Sequence, residues 1–344
     1  MILPICKQTD VTFALNNAFP MCIMKSAPIY RNYLLEKNLE PFGVSWEDGS
    51  LGMGFADGIE YGDVDNIDSR VLRFIPVPED TIDYESILSK IEKMIEAGYY
   101  LIAFIDEYYI YRNVAPEGCH YARDFLVYGI DENSVYAFGF NSRGILGTLV
   151  FPRYKFALAL INVGKSLGSR NYCSWIKDKL LMFLKPIERN EELPLRPSEI
   201  KRKLEHYIEG EPDEQNVFLR LTGKDFSRIK NDRKKARESY GRETKLVLID
   251  HVRHQLEKLE AGMEVEFYDD YRFFHMYKEQ CQLALARAEI IAPVYERCSI
   301  LEELKRDMLI SEEVRLLYLR CKVIDQNAEK QKHIATRMLR LLET

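Results

Sequence analysis

The sequence predicts an α+β domain followed by an all-helical one. Short apolar runs bounded by turn residues fill the first 160 residues, whereas beyond Phe156 apolar residues recur at i, i+3, i+4 and i+7 with charge between them. The chain of 344 residues, 47% hydrophobic, 12% aromatic and 30% charged, has the composition of a globular protein of about two domains, here expected over 1–160 and 161–344.

Taken in order, apolar residues at helical spacing predict a helix from Ile23 to about Asn38. A second helix spans Asp83 to Ala97 (DYESILSKIEKMIEA), opened by an Asp cap and stopped by Gly98. Four strands follow, at Tyr99–Ile105, Phe125–Ile130, Ser134–Phe140 and Ile145–Phe151. Asp131-Glu132-Asn133 joins the second and third as a polar three-residue hairpin connection. The remainder reads as helices at Ser198–Ile208, Asp225–Tyr240, Glu243–Glu260, Asp269–Ala292, Ile300–Asp307 and Glu312–Leu342. Pro186, Pro194 and Pro197 make Lys185–Pro197 a solvated connection within that half. The last segment keeps no clean heptad, so a coiled coil is not supported.

Forty-eight Lys+Arg against 54 Asp+Glu give a net charge of -6, which excludes a polycation with general affinity for nucleic acid or anionic membranes. Seven cysteines, without C-x-x-C or a zinc-type cluster, read as reduced thiols. No signal-peptide pattern and no long uncharged apolar stretch occurs, so the expected location is the cytoplasm. The expected partners are small molecules or proteins, and the sequence is compatible with a homodimer. The glycines of GSLGMGFADG (49–58) lack the strand and the Lys-Ser/Thr that phosphate loops need, and read as a turn or a close backbone approach. Asp63, Asp65 and Asp68 lack the Glu and Gly of a calcium loop, and read as a solvated face. His251 and His254 recommend no third metal ligand and read as a surface pair.

One combination could carry chemistry. Cys22 is read as opening the first helix, where free N–H groups and the helix dipole favour a thiolate. A His and an Asn or Asp on neighbouring strands would complete a Cys-His-Asn/Asp arrangement. His120 precedes the Phe125–Ile130 strand, and Asn141 follows the next one. Each also has a plainer reading: Cys22 as a small apolar helix residue, His120 as a loop residue and Asn141 as part of a turn. Asp106, entering Glu107-Tyr108-Tyr109, lines a cleft or caps a loop, and Arg123 and Asp124 are adjacent charges able to pair.

These residues lie in segments that resemble the butirosin biosynthesis protein H N-terminal family: CIMKSAPIYRNYLLEKNLEPFGVSWEDGSLGMGF (22–55), GYYLIAFIDEYYIYRN (98–113) and HYARDFLVYGIDENSVYAFGF (120–140). Residues 231–260 are similar to the helical tail of longer members. The resemblance implies a papain-like cysteine-protease fold in the first domain, related to bacteriocin leader peptidases. It implies an acyltransferase of natural-product biosynthesis, which moves an acyl or aminoacyl chain from a carrier-protein phosphopantetheine thioester through a Cys thioester to an amine or water. No cofactor or metal is called for. Cys22 matches the nucleophile position, and Asn141 lies close to that of the orienting Asp or Asn. The family's catalytic His position, six residues before Gly129, holds Arg123, which cannot take up a proton at neutral pH. His120 is then the base nearest to hand, and Arg123, Asp106, Tyr108 and Asp124 are expected to bind substrate. The alternative is a catalytically degenerate member that binds a carrier protein or ligand as an accessory protein, with Arg123 holding an anion and pairing with Asp106 or Asp124 when the cleft is empty.

Overall fold

The computed structural model describes residues 1–25, 30–37, 40–55, 72–77, 86–111, 120–142, 144–163, 180–187, 195–211, 235–265, 271–294, 298–323 and 327–344. It is a mixed α/β, α+β structure with two antiparallel sheets among those residues, arranged in two compact units. One unit comprises Met1–Arg31 with Ile59–Glu192, and the other Asn32–Gly58 with Leu193–Thr344. This division differs from a single cut at 160, because the segment 32–58 and the segment 161–192 each belong to the other half.

In the first unit, helix α1 (Leu15–Met24) is buried nearly all round, as its sequence LNNAFPMCIM requires. Helix α2 (Tyr30–Glu36) straddles the division of the units. The sequence predicts one helix beginning at Ile23, after Pro20. The structure instead carries Pro20 inside α1, so the apolar run 18–24 belongs to the end of a helix rather than the start of one.

The six-stranded sheet has the order β3-β8-β4-β5-β6-β7, with β3 Leu72–Val77, β4 Tyr100–Asp106, β5 Ala122–Ile130, β6 Ser134–Phe140, β7 Leu146–Pro152 and β8 Leu181–Pro186. β4 is buried along its whole length, which explains its unbroken apolar run YLIAFI. The β5–β6 connection is the expected hairpin. Asp131 Oδ1 accepts from the N–H groups of Asn133 and Ser134, at 2.9 and 2.7 Å.

Helix α3 (Ile87–Glu96) lays Ile87, Ile91 and Ile95 onto the sheet, each burial stabilising by about 1.5–3 kcal/mol. It stops where expected. Gly98 takes φ +83, and Tyr99 N–H returns to the Met94 carbonyl at 2.9 Å. Helices α4 (Glu107–Ile110) and α5 (Arg153–Ile161) complete the unit. β8 falls in the half expected to be all-helical. Its signal was the short run LLMFL before Lys185 and Pro186.

The second unit is not all-helical. β1 (Pro41–Trp46) pairs antiparallel with β2 (Leu51–Phe55) and with β9 (Lys235–Tyr240), which corrects the expected helix at Asp225–Tyr240; residues 225–234 lie outside the described residues. Pairing with a strand some 190 residues away overrides the local helical pattern. Gly43 of β1 and Gly54 of β2 serve close approach: a Cβ on Gly43 would lie 2.7 Å from Val247, and one on Gly54 2.8 Å from Phe42. The helices are α6 (Pro197–Glu209), α7 (Lys245–Glu260), α8 (Tyr271–Ile291), α9 (Cys298–Val323) and α10 (Ala328–Leu342). α9 is one helix where the sequence suggests a break after Asp307. Ile200, Leu204, Ala284, Ala288 and Leu304 form a core with Leu35. Arg287, 1% exposed, closes the end of α2 by donating from Nε to the Leu35 carbonyl at 2.9 Å and from Nη2 to the Leu34 and Lys37 carbonyls.

Candidate functional site

The chemistry-bearing residues gather where β4 ends and β5 begins. Asp106, the last residue of β4, is fully buried, and its Oδ1 caps α4 by accepting from Tyr108 N–H at 3.1 Å. Its Oδ2 lies 2.6 Å from His120 Nδ1. A carboxylate only accepts, so Nδ1 carries the proton in this contact and Nε2 is the nitrogen left to act as a base. The His120 side chain is 25% exposed and leans on Tyr108, with ring centroids 4.7 Å apart, and on Tyr109 at 6.1 Å. Asp106 therefore both caps the loop and holds the histidine, the two roles left open by the sequence.

The next acid repeats the arrangement. Glu107 N–H donates to the Tyr121 carbonyl at 2.9 Å, extending the β4–β5 ladder, and Glu107 Oε1 lies 2.5 Å from Arg123 Nε. The guanidinium also lies over the Tyr121 ring, 5.6 Å from its centroid. Burial pushes the Glu107 carboxyl up, Arg123 pulls it back down, and the charges of Asp106 and Asp124 add to the upward push. Arg123 thus pairs with Glu107, not with Asp106 or Asp124. Neighbouring strand residues face opposite sides of a sheet, which separates Arg123 from Asp124, while Asp124 lies on the same face as Asp106 through its register with Phe104. Glu107, Tyr109 and Tyr121 were not singled out in the sequence. The signal was present as two consecutive acids, Asp106-Glu107, followed after the Tyr pair by a His and an Arg.

Asn141 takes its plainer reading. Its backbone N–H donates to the Ile145 carbonyl at 3.0 Å, and its side-chain oxygen accepts from Ile145 N–H at 3.0 Å, closing the β6–β7 turn with Gly144 at φ +71. It is Asp106, not Asn141, that orients His120.

Cys22 is not at a helix start. It lies in the last turn of α1, 1% exposed, where the helix dipole presents its negative end. Burial pushes its thiol up to about 12; the nearby Cys6 adds to this and Lys25 opposes it. The thiolate expected from a helix N-terminus is therefore strongly disfavoured. His120 is held by Asp106 rather than by the thiol. Cys119 and Cys173, like the acidic cluster 63–68, lie outside the described residues.

Among the described residues, no group of three or more His, Cys, Asp or Glu side chains is placed to hold a metal ion, and no helix is long and apolar enough to cross a membrane. His251 is not on the surface: it is 1% exposed, with Nδ1 2.8 Å from the Gly49 carbonyl.

No family model and no curated protein matches the chain. The functional reading therefore rests on the site itself. It holds two pairs, which the strand pleat sends to opposite faces: an imidazole oriented by a buried carboxylate beside Tyr108 and Tyr109, and a guanidinium held by a second carboxylate over Tyr121. The first can accept a proton at Nε2 and the second can bind an anion.

Proposed function

We propose that the chain is a ligand-binding, accessory member of the papain-like butirosin H type, which engages the pantetheine phosphate of an acyl carrier protein without forming an acyl-enzyme. The observation that carries this reading is the state of Cys22, buried in the last turn of α1 with its thiol raised to about 12. A protonated, enclosed sulfur is a poor nucleophile for a thioester. Arg123 supplies the anion-binding group. An incoming phosphate competes with Glu107, whose carboxyl is already biased by burial toward the neutral form.

Calorimetric titration of the full chain with phosphopantetheine tests the reading. Arg123→Gln should weaken binding about tenfold, the loss of roughly 1.4 kcal/mol expected for one charge-assisted contact. Equal affinity in the wild type and the variant would remove Arg123 from the site.

One observation favours a second reading, acyl transfer from a carrier thioester to an amine. The 2.6 Å contact of His120 Nδ1 with Asp106 Oδ2 supports a general-base role for His120 in this reading. In that reading His120 Nε2 takes the proton of the amine and Asp106 steadies the ring. Transfer activity lost in His120→Ala would favour it, and no turnover of an acyl-carrier thioester in the wild type would end it.

A further inference from the structure

The backbones of two cysteines meet at the C-terminal end of α1. Cys6 N–H donates to the Cys22 carbonyl at 2.9 Å. With the bonds on either side of that contact and the bend at the carbonyl carbon, the two Cα atoms lie at most about 6.8 Å apart, no farther than the span of about 4.4–6.8 Å that disulfides bridge. Cys22 is enclosed, whereas Cys6 is half-buried and its Sγ donates to the Gln8 carbonyl at 3.3 Å. Cys6 is near enough to disfavour ionisation of Cys22 and also of Tyr30. Beside them, Asp10 accepts the Tyr30 hydroxyl and holds Lys25 Nζ at 3.1 Å. The pair therefore combines an accessible sulfur, an enclosed one and a lysine cation close by.

We propose that Cys6 and Cys22 are a redox pair, closed to a disulfide by hydrogen peroxide. The Cys6 thiolate attacks one peroxide oxygen, the O–O bond breaks, and hydroxide leaves and is protonated to water, giving a sulfenic acid on Cys6. Cys22 Sγ, too weak to open a thioester, then attacks the adjacent, more reactive sulfenic Cys6 Sγ, passing its proton to the leaving oxygen as the bond forms. The S–S bond forms, the S–O bond breaks, and the oxygen leaves as a second water. Two thiols lose two electrons and the peroxide gains them. The bond ties the N-terminal segment, which reaches β5 through Leu3 N–H to the Tyr128 carbonyl at 2.7 Å, to the last turn of α1. It also removes the thiol at the position that the family resemblance assigns to the nucleophile. The inference is independent of ligand binding at the His120 end.

The test uses the full reduced chain, treated with hydrogen peroxide, blocked with an alkylating reagent and digested with trypsin. Cleavage after Lys7 and Lys25 separates the two cysteines unless they are bonded. The expected result is a mass loss of about 2 Da, with peptides 1–7 and 8–25 joined, reversed by dithiothreitol. Cys6→Ser should abolish the linkage and leave Cys22 alkylatable on denaturation. Three results would overturn the proposal: over-oxidised Cys6 beside free Cys22, Cys6 bonded to another cysteine, or both thiols recovered unchanged. Each is read on the wild-type chain, so the outcome does not depend on the variant folding.

Discussion

The Asp106 carboxylate holds the His120 imidazole at 2.6 Å, Oδ2 to Nδ1, and with its other oxygen caps the helix that begins one residue later. One fully buried side chain thus fixes both the end of β4 and the orientation of the His120 ring. Asp106→Ala removes both contacts and leaves the Tyr108 N–H and the imidazole without their acceptor. The loss should be about 2–3 kcal/mol of unfolding free energy, read by urea denaturation. An unchanged midpoint would mean that neither contact stabilises the fold.

The Glu107–Arg123 pair predicts a pH dependence. The Glu107 carboxyl is raised in the folded chain, chiefly by burial, so the folded state keeps its proton where the unfolded state has released it. Its contribution to stability is complete below the ordinary glutamate value and is lost as pH rises through the folded value. Arg123 opposes the rise, so Arg123→Gln should move the folded value further up and extend the loss to higher pH. Urea midpoints measured from about pH 4 to 8 should fall more steeply in the variant. Parallel profiles would contradict the pairing.

Two glycines with similar backbone angles should respond differently to alanine. Gly144 has φ +71 and nothing within 4 Å of an added Cβ, so Gly144→Ala should cost about 1 kcal/mol of conformational strain alone. At Gly241, φ +54, the added Cβ would lie 2.3 Å from the Tyr207 carbonyl oxygen, a backbone atom that cannot swing aside. Gly241→Ala should therefore cost at least about 3 kcal/mol, and equal thermal shifts for the two variants would refute the close approach.

The strands legible in the sequence, β4 to β7, pair locally and carry unbroken apolar or alternating runs, whereas β2, which pairs just as locally with β1, was read as a turn because of its glycines. β4 to β7 follow one another through the sheet, and Asp131 and Gly98 mark their own turns by side chain and by φ. β8 and β9 were hidden because their partners lie far away in sequence: β8 enters between β3 and β4, and β9 pairs with β1. At the site, residue types were readable but partners were not. Arg123 beside Asp124 suggested a pair, and the pleat of β5 sends the two apart. Cys22 failed for a different reason. Apolar spacing suggested a helix beginning at Ile23, and α1 instead runs from Leu15 through Pro20 to Met24, turning an expected N-terminus into a C-terminus.

The central claim is that Cys22 makes no acyl-enzyme, and it is tested most directly by mass. The full chain is incubated with an acyl-phosphopantetheine thioester, quenched in acid and weighed intact. The account predicts an unmodified protein mass under conditions in which calorimetry detects phosphopantetheine binding. An acyl adduct that maps to Cys22 and disappears in Cys22→Ser would contradict it.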